Sequence, residues 1–203
     1  MEFWNSQLTE KSWKILQDIS QQYNFMLIGG WAIYLWTKQQ KSKDIDIIVG
    51  IDELQKLKKA NISKNDNLKK YELKFGEIDV DIYVEYYSKL VIPIEDLKDY
   101  SSQIEGFNVV LPESLIILKQ GAEIDREYSV KGEKDRIDII SLLFFSDFNY
   151  KRYFSILKKY TKEDYLNKLI SLVKNFKDYN SLALSPREFK IKKEKALAEL
   201  KRV

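Results

Sequence analysis

The stretch FMLIGGWAIYLWTKQQKSKDIDIIVG, residues 25–50, decides the fold of this chain. Its first residues, 25–28, form a short apolar run that stops at two consecutive glycines, which is typical of a buried strand ending in a turn. A short helix is predicted at residues 31–37. After a polar turn, residues 44–49 begin by alternating polar and apolar side chains, which is the period-2 pattern of a strand with two different faces. The stretch therefore predicts the order strand, Gly-Gly, helix, strand.

Two carboxylates, Asp44 and Asp46, project from the same face of this second predicted strand. Like charges at such positions repel each other, and Mg²⁺ prefers oxygen ligands, so a divalent cation is a natural partner for the pair. Gly29 and Gly30 precede a predicted helix N-terminus, where backbone N–H groups can approach a phosphate closely. Each motif alone is commoner as a turn or a solvated strand face. Their order and spacing together favour a phosphate site beside a metal-binding pair.

A second strand with alternating carboxylates is predicted at residues 78–84, joined by a tight turn at Gly76 to a strand at residues 70–75. Asp79 and Asp81 share one face of it. If this strand lies beside the first carboxylate strand, one of the two completes a cluster of three. Asp81 is favoured because β-branched residues flank it deep in the strand, whereas Asp79 lies nearer the turn. A solvent-facing polar edge is the alternative.

The rest of the chain is predicted to be mostly helical. The polar stretch 61–67 is interpreted as a turn, and the lysines around it, Lys70 among them, as a solvated face. A short helical segment is predicted at residues 95–100 and a strand at residues 107–111. The longer helices are predicted at residues 6–22, 52–60, 113–128, 134–146, 150–160, 162–177 and 186–202.

Basic and acidic residues recur at helical spacing in the second half of the chain. Lys119 and Arg126, with Ala122 between them, form one stripe of a predicted helix, which could face a phosphate chain across a cleft or be an ordinary surface. Asp135 and Asp138 lie three apart on the next helix. They can interact favourably with the positive N-terminal end of that helix, or they can form ion pairs with Lys119 or Arg126.

Composition excludes several classes of chemistry. The 203 residues contain no cysteine and no histidine, which excludes disulfides, thiolate or imidazole metal ligands, and histidine catalysis. Any metal ion must therefore be held by oxygen. The net charge of +3 gives no overall electrostatic case for nucleic acid. No signal-peptide pattern and no apolar run long enough for a membrane span are present, so we expect a cytoplasmic protein with no membrane partner.

With these residues assembled, the chain resembles the nucleotidyltransferase superfamily with the polymerase-β-like fold. The resemblance spans about residues 29–143 and is carried by IGGWAIYLW, SKDIDIIV, VDIYV and KQGAEIDREYSVKGEKDRIDIISLL. The last segment is similar to the Lys-x-x-Ala-x-x-x-Arg and Lys-Asp-x-x-Asp-Ile pattern of toxin-type nucleotidyltransferases from toxin-antitoxin and abortive-infection systems. The resemblance as a whole implies an α+β fold. Residues 1–111 would form a small mixed β-sheet core with flanking helices, and residues 112–203 a helical region that completes the nucleotide and acceptor cleft.

The resemblance also implies roles for the matching residues. Gly29 and Gly30 would bind the triphosphate of an NTP substrate. A two-metal Mg²⁺ site would be held by acidic side chains, and its implied ligands are Asp44, Asp46, Asp81 and, assisting Asp81, Asp79. Asp81 would also draw the proton from the attacking hydroxyl. Lys119 would meet the triphosphate, and Asp135 would hold Lys119 or a neighbouring base in place. Further nucleotide-binding residues implied by the pattern are Ser42, Arg126 and Lys134.

The activity implied is transfer of a nucleoside monophosphate from an NTP to a hydroxyl, with release of pyrophosphate. An RNA acceptor such as a tRNA end is favoured, with the basic helix at residues 186–202 as its platform and a cognate antitoxin as a further partner. Two alternatives stay open. One is an antibiotic-type enzyme with a small-molecule acceptor, and the other is a catalytically silent, antitoxin-like nucleotide-binding protein.

Overall fold

The computed structural model describes residues 6–60 and 62–203, which form two compact units. One unit ends at Leu111 and contains the β-sheet, and the other begins at Pro112 and is helical. A mixed sheet with helices placed before, between and after its strands confirms the predicted α+β class. Residues 1–5 of the expected catalytic core and Asn61 of the predicted turn lie outside the described residues.

The sheet of the first unit has seven strands in the order β3-β4-β5-β2-β1-β7-β6. Strand β1 runs parallel to β7, β2 runs parallel to β5, and the other neighbouring pairs are antiparallel. The strands are β1 Met26–Ile28, β2 Ile45–Val49, β3 Ser63–Asn65, β4 Lys70–Phe75, β5 Ile78–Val84, β6 Ser101–Ile104 and β7 Phe107–Val110.

Strands β2 and β5 lie side by side near the middle of the sheet, and their alternating sequences explain why. Ile45 and Ile47 on β2, and Val80 and Ile82 on β5, are at most 1% exposed and form the core under the sheet. The intervening aspartates are only half-buried, on the opposite face. Burial of one apolar set thus aligns the two acidic sets on a single face.

The helices of the first unit are α1 Ser6–Gln22, α2 Gly29–Thr37, α3 Ile51–Leu57 and α4 Ile94–Leu97. Helix α2 begins directly after β1 and is fixed against α1 by Trp31, whose indole N–H donates to Ser12 Oγ at 2.8 Å. The Trp13 and Trp31 rings add a contact with centroids 4.9 Å apart. These contacts fix helix α2 against α1 at the end of β1.

The helical unit consists of α5 Pro112–Asp125, α6 Val130–Phe145, α7 Tyr150–Lys159, α8 Asp164–Asn175 and α9 Pro186–Leu200. Most residues of α5 and α6 are buried, and their apolar side chains contribute to its core. Gln120 ties three helices together, since it accepts a hydrogen bond from Tyr153 at 2.6 Å and donates to the carbonyl of Tyr165 at 2.9 Å. Among the described residues, no helix is both long and apolar enough to cross a membrane.

The structure differs from the local predictions at three places. The polar stretch predicted as a turn contains strand β3, and the sequence predicts no strand where β6 lies. Both strands have mostly polar sequences. They are the edge strands of the sheet, so each has a neighbouring strand on one side only. Helix α6 begins at Val130 rather than at residue 134, because Ser129 caps it by accepting from the Gly132 N–H.

Candidate active site

Three carboxylates lie in one row across three neighbouring strands. Asp46 of β2 is level with Asp81 of β5 in the parallel register, and Asp81 is level with Glu72 of β4 in the antiparallel register. Side chains at directly opposed positions stand on the same face of a sheet. The pairing of β2 with β5, on which the expected cluster depends, therefore brings Asp46 and Asp81 together, and the pairing of β5 with β4 adds Glu72, which is not among the predicted residues.

Asp44 lies close to this row. The negative charge of Asp44 contributes to the raised pKa of Asp81, although burial of Asp81 is the larger cause and the charge of Glu72 adds to it. The Asp44 Oδ1 atom is buried and has no hydrogen-bond partner among the described residues. A buried carboxylate oxygen without a partner is costly, and a bound cation would satisfy it.

Gly29, the first residue of α2, lies directly against Asp46. A Cβ atom built on Gly29 would fall 2.0 Å from Asp46 Oδ2, and the glycine has a φ of +67°. Only a glycine meets both conditions without strain. The helix begins there after Ile28, which has no polar side chain to cap it, and its positive end favours an anion. Gly29 thus allows the close approach of Asp46 to the start of the helix.

We expect Gly29→Ala to disrupt the site more than the fold. The left-handed backbone costs about 1–3 kcal/mol for a residue with a Cβ, and the added methyl group must also displace the Asp46 carboxylate. Thermal denaturation and Mn²⁺ binding measure the two effects. Gly50→Ala is the matched control, since Gly50 precedes α3 at a φ of −73° and has open space around it. Equal Mn²⁺ affinity in both variants would contradict the arrangement.

Lys70 of β4 is part of the carboxylate row, not of a solvated face as the sequence suggested. Its ammonium lies 2.6 Å from Asp81 Oδ2 and 3.2 Å from Glu72 Oε1, and the side chain is only 12% exposed. Burial by itself would lower the pKa of Lys70, but the hydrogen bonds and charges of Asp81 and Glu72 outweigh it and raise that pKa above its usual value. Lys70 is therefore charged at neutral pH.

Ser42 and Asp79 take secondary positions. Ser42 is buried, and its hydroxyl donates to the backbone carbonyl of Asp44 at 2.9 Å, so it fixes the turn that presents Asp44. Asp79 lies nearer the turn than Asp81 and pairs with Lys74 at 3.5 Å. Asp81 is opposite Asp46, as preferred from the sequence, although the choice between the two as metal ligands stays a prediction.

The two-metal Mg²⁺ site implied by the resemblance stays a prediction. In the described ranges, 6–60 and 62–203, no three acidic side chains converge closely enough to hold a metal ion as they stand. Asp44 offers an oxygen without a partner, and Asp46 lies against the start of α2. Asp81 forms an ion pair with Lys70.

The acidic and basic residues predicted in the second half form a buried ion cluster within the helical unit. The Lys119 ammonium lies 2.9 Å from Asp135 Oδ1 and 2.8 Å from Asp138 Oδ2. Arg126 donates two hydrogen bonds to Asp135, from Nε at 2.7 Å and from Nη2 at 3.0 Å. Asp135 and Asp138 thus form ion pairs with the basic residues and do not cap the helix. Lys134 is half-buried on α6, and its nucleotide-binding role stays a prediction.

The sequence could have revealed Glu72 and Lys70 through one signal. Strand β4 reads Lys-Tyr-Glu-Leu-Lys-Phe, which places charges on one face, and a two-residue turn at Gly76 and Glu77 fixes its register with β5. That register puts Glu72 opposite Asp81. Two like charges directly opposed require a cation nearby, and Lys70 is the diagonal neighbour.

Comparison with solved structures supports the fold. The crystal structure of a "putative nucleotidyltransferase" from H. pylori matches with a TM-score of 0.56 and 19% identity, over 98% of both chains. The crystal structure of JHP933 from Helicobacter pylori matches with a TM-score of 0.53 and 19% identity, over 98% of this chain and 95% of that one. This chain has a nucleotidyltransferase-like fold.

The likeness to these structures concerns the fold, and membership of the nucleotidyltransferase superfamily and of its toxin-type subgroup stays a prediction. No protein-family model matches the chain, and no curated protein matches it.

Proposed function

We propose that the protein is a Mg²⁺-dependent nucleotidyltransferase that transfers a nucleoside monophosphate from an NTP to an acceptor hydroxyl. The observation that carries the proposal is the aligned register of Asp46 and Asp81 beside Asp44, whose buried oxygen has no partner. The parallel strands β2 and β5 bring these carboxylates close to the end of β1, where Gly29 and Gly30 begin helix α2. Charge neutralisation and positioning are what phosphoryl transfer chiefly requires.

The chain's own residues would act in a simple order. The N-terminus of α2, at Gly29 and Gly30, would accept the triphosphate, and Asp44 and Asp46 would hold the metal ion beside it. When bound, Mg²⁺ neutralises phosphate charge and stabilises the leaving oxygen. Asp81 would accept the proton of the attacking hydroxyl, and burial favours this because it raises the pKa of Asp81. The acceptor oxygen bonds to the α-phosphorus as pyrophosphate leaves.

An RNA acceptor, such as a tRNA end, is part of the proposal. Helix α9 and the residues that follow it carry exposed basic side chains, at Arg187, Lys190, Lys195, Lys201 and Arg202. Two other lysines of α9 have structural partners instead: Lys192 donates to the carbonyl of Phe144, and Lys193 donates to the carbonyls of Lys174 and Phe176. The toxin-type sequence pattern supports the addition of a cognate antitoxin as a partner.

Incubation with Mg²⁺, total RNA and each α-labelled NTP tests the proposal on a denaturing gel. We expect label in RNA with the parent protein and none with the double variant Asp44→Asn, Asp46→Asn. Labelling should weaken as salt rises, because contacts to RNA phosphates are salt-dependent. No label in RNA from a protein that still binds NTP would contradict the RNA acceptor. Pyrophosphate release on addition of a small hydroxyl compound would then indicate a small-molecule acceptor, and no release with any acceptor would contradict the proposed activity and favour a silent nucleotide-binding protein.

A further inference from the structure

The Lys70 ammonium is held between two carboxylates of the row. It lies between Asp81 Oδ2 at 2.6 Å and Glu72 Oε1 at 3.2 Å, inside the carboxylate row. Glu72 is itself held in place, because Asn65 Nδ2 donates to the same Oε1 atom at 2.9 Å. The ammonium is therefore bound between two carboxylates, one of which is held by a second strand.

The ion pair of Lys74 on the same strand shows how different this arrangement is. Lys74 lies 3.5 Å from Asp79, and its side chain is 69% exposed. Such a pair is loosely held and weak. Lys70, at 12% exposure and with two carboxylate partners, has lost most of its contact with water. A charged group so placed stays only because the surrounding negative charge compensates its loss of hydration.

Two further carboxylates lie near the two that hold Lys70. Asp81 and Glu72 contact the ammonium directly, and Asp44 is near enough to raise the pKa of Asp81. Asp46 stands level with Asp81. The buried Asp44 Oδ1 atom has no hydrogen-bond partner in the described part of the chain, and it marks where a divalent cation would bind.

We propose that Lys70 takes the place of one of the two divalent ions of two-metal phosphoryl transfer, so that this chain binds a single divalent ion, at Asp44 and Asp46. The inference rests on the proposed function, since it concerns the same carboxylates. Lys70 is a positioning residue: its ammonium holds Asp81 Oδ2, leaving Asp81 Oδ1 to accept the proton of the acceptor hydroxyl. The ammonium keeps its own protons throughout the transfer.

Counting bound Mn²⁺ by electron paramagnetic resonance tests this directly, with Mn²⁺ alone as the probe. We expect one Mn²⁺ per chain in the parent protein and two in Lys70→Met, which removes the charge while keeping most of the side-chain volume. Lys70→Arg should keep one. Lys74→Met is the matched control, because it removes an exposed lysine from the same strand, and it should also bind one Mn²⁺.

Two Mn²⁺ in the parent protein would overturn the inference and leave the proposed function intact. One Mn²⁺ in a Lys70→Met variant that is folded by circular dichroism would also overturn it. If Lys70→Met does not fold, the counts for the parent and for Lys70→Arg still decide the matter. No Mn²⁺ in any folded variant would contradict the metal site itself, and with it both proposals.

Discussion

Asp46→Asn is expected to lower nucleotide transfer by more than about 100-fold, because a partner that only contacts a metal ligand already costs 10–100-fold when removed. The substitution keeps the size of the side chain and removes one charge from a face shared with Asp44, Asp81 and Glu72. Repulsion on that face should therefore fall. We expect the variant to unfold at the same temperature as the parent or at a higher one, because functional carboxylates are commonly held at a cost in stability.

The measurement combines the rate of pyrophosphate release with a thermal denaturation curve for each protein. Asp52→Asn is the control, since Asp52 is exposed in the first turn of α3 and belongs to the same unit. It should keep both the activity and the melting temperature of the parent. Full turnover by Asp46→Asn would remove Asp46 from the site. A large fall in its melting temperature would instead mean that the carboxylate serves the fold.

The central part of the carboxylate site could be predicted from the sequence because its signals are local. Alternation fixes which faces Asp44, Asp46 and Asp81 occupy, and the glycines mark the end of β1. The pairing of β2 with β5 cannot be derived from the sequence alone. It follows from the requirement to bury the isoleucines of both strands on one side, which only the folded sheet displays.

The parts that could not be predicted depend on contacts distant in the sequence. Strands β3 and β6 have too few apolar residues for a periodic signal, and their partners in the sheet are what make them strands. In the sequence, Lys70 is one of several lysines near a polar stretch, and nothing distinguishes it from the others. Its burial depends on the neighbouring strand, whose carboxylates supply the compensating charge.

Asp135→Asn is expected to destabilise the helical unit by about 3–5 kcal/mol, the usual cost of breaking a buried ion pair by removing one partner. The Asp135 side chain is 1% exposed and receives hydrogen bonds from both Lys119 and Arg126. The variant leaves Lys119 buried with Asp138 as its remaining carboxylate partner. Urea denaturation at neutral pH measures the loss. Asp164→Asn is the control, since Asp164 pairs with Lys168 on the surface and should leave the unfolding free energy almost unchanged.

The pH dependence separates this ion cluster from an ordinary loss of packing. Burial alone would raise the pKa of Asp135, but the charges and hydrogen bonds of Lys119 and Arg126 outweigh it and hold that pKa below its usual value. A carboxyl group with a lowered pKa in the folded state stabilises the protein above its unfolded pKa of about 3.9, and that contribution is lost as the pH falls through the folded value. The stability difference between parent and Asp135→Asn should therefore shrink in acid. A difference that stays constant down to the acid limit of folding would assign the loss to packing. The acids of the Lys-Asp-x-x-Asp pattern would then contribute mainly through packing. A difference that shrinks in acid would show that their charges hold Lys119 in place.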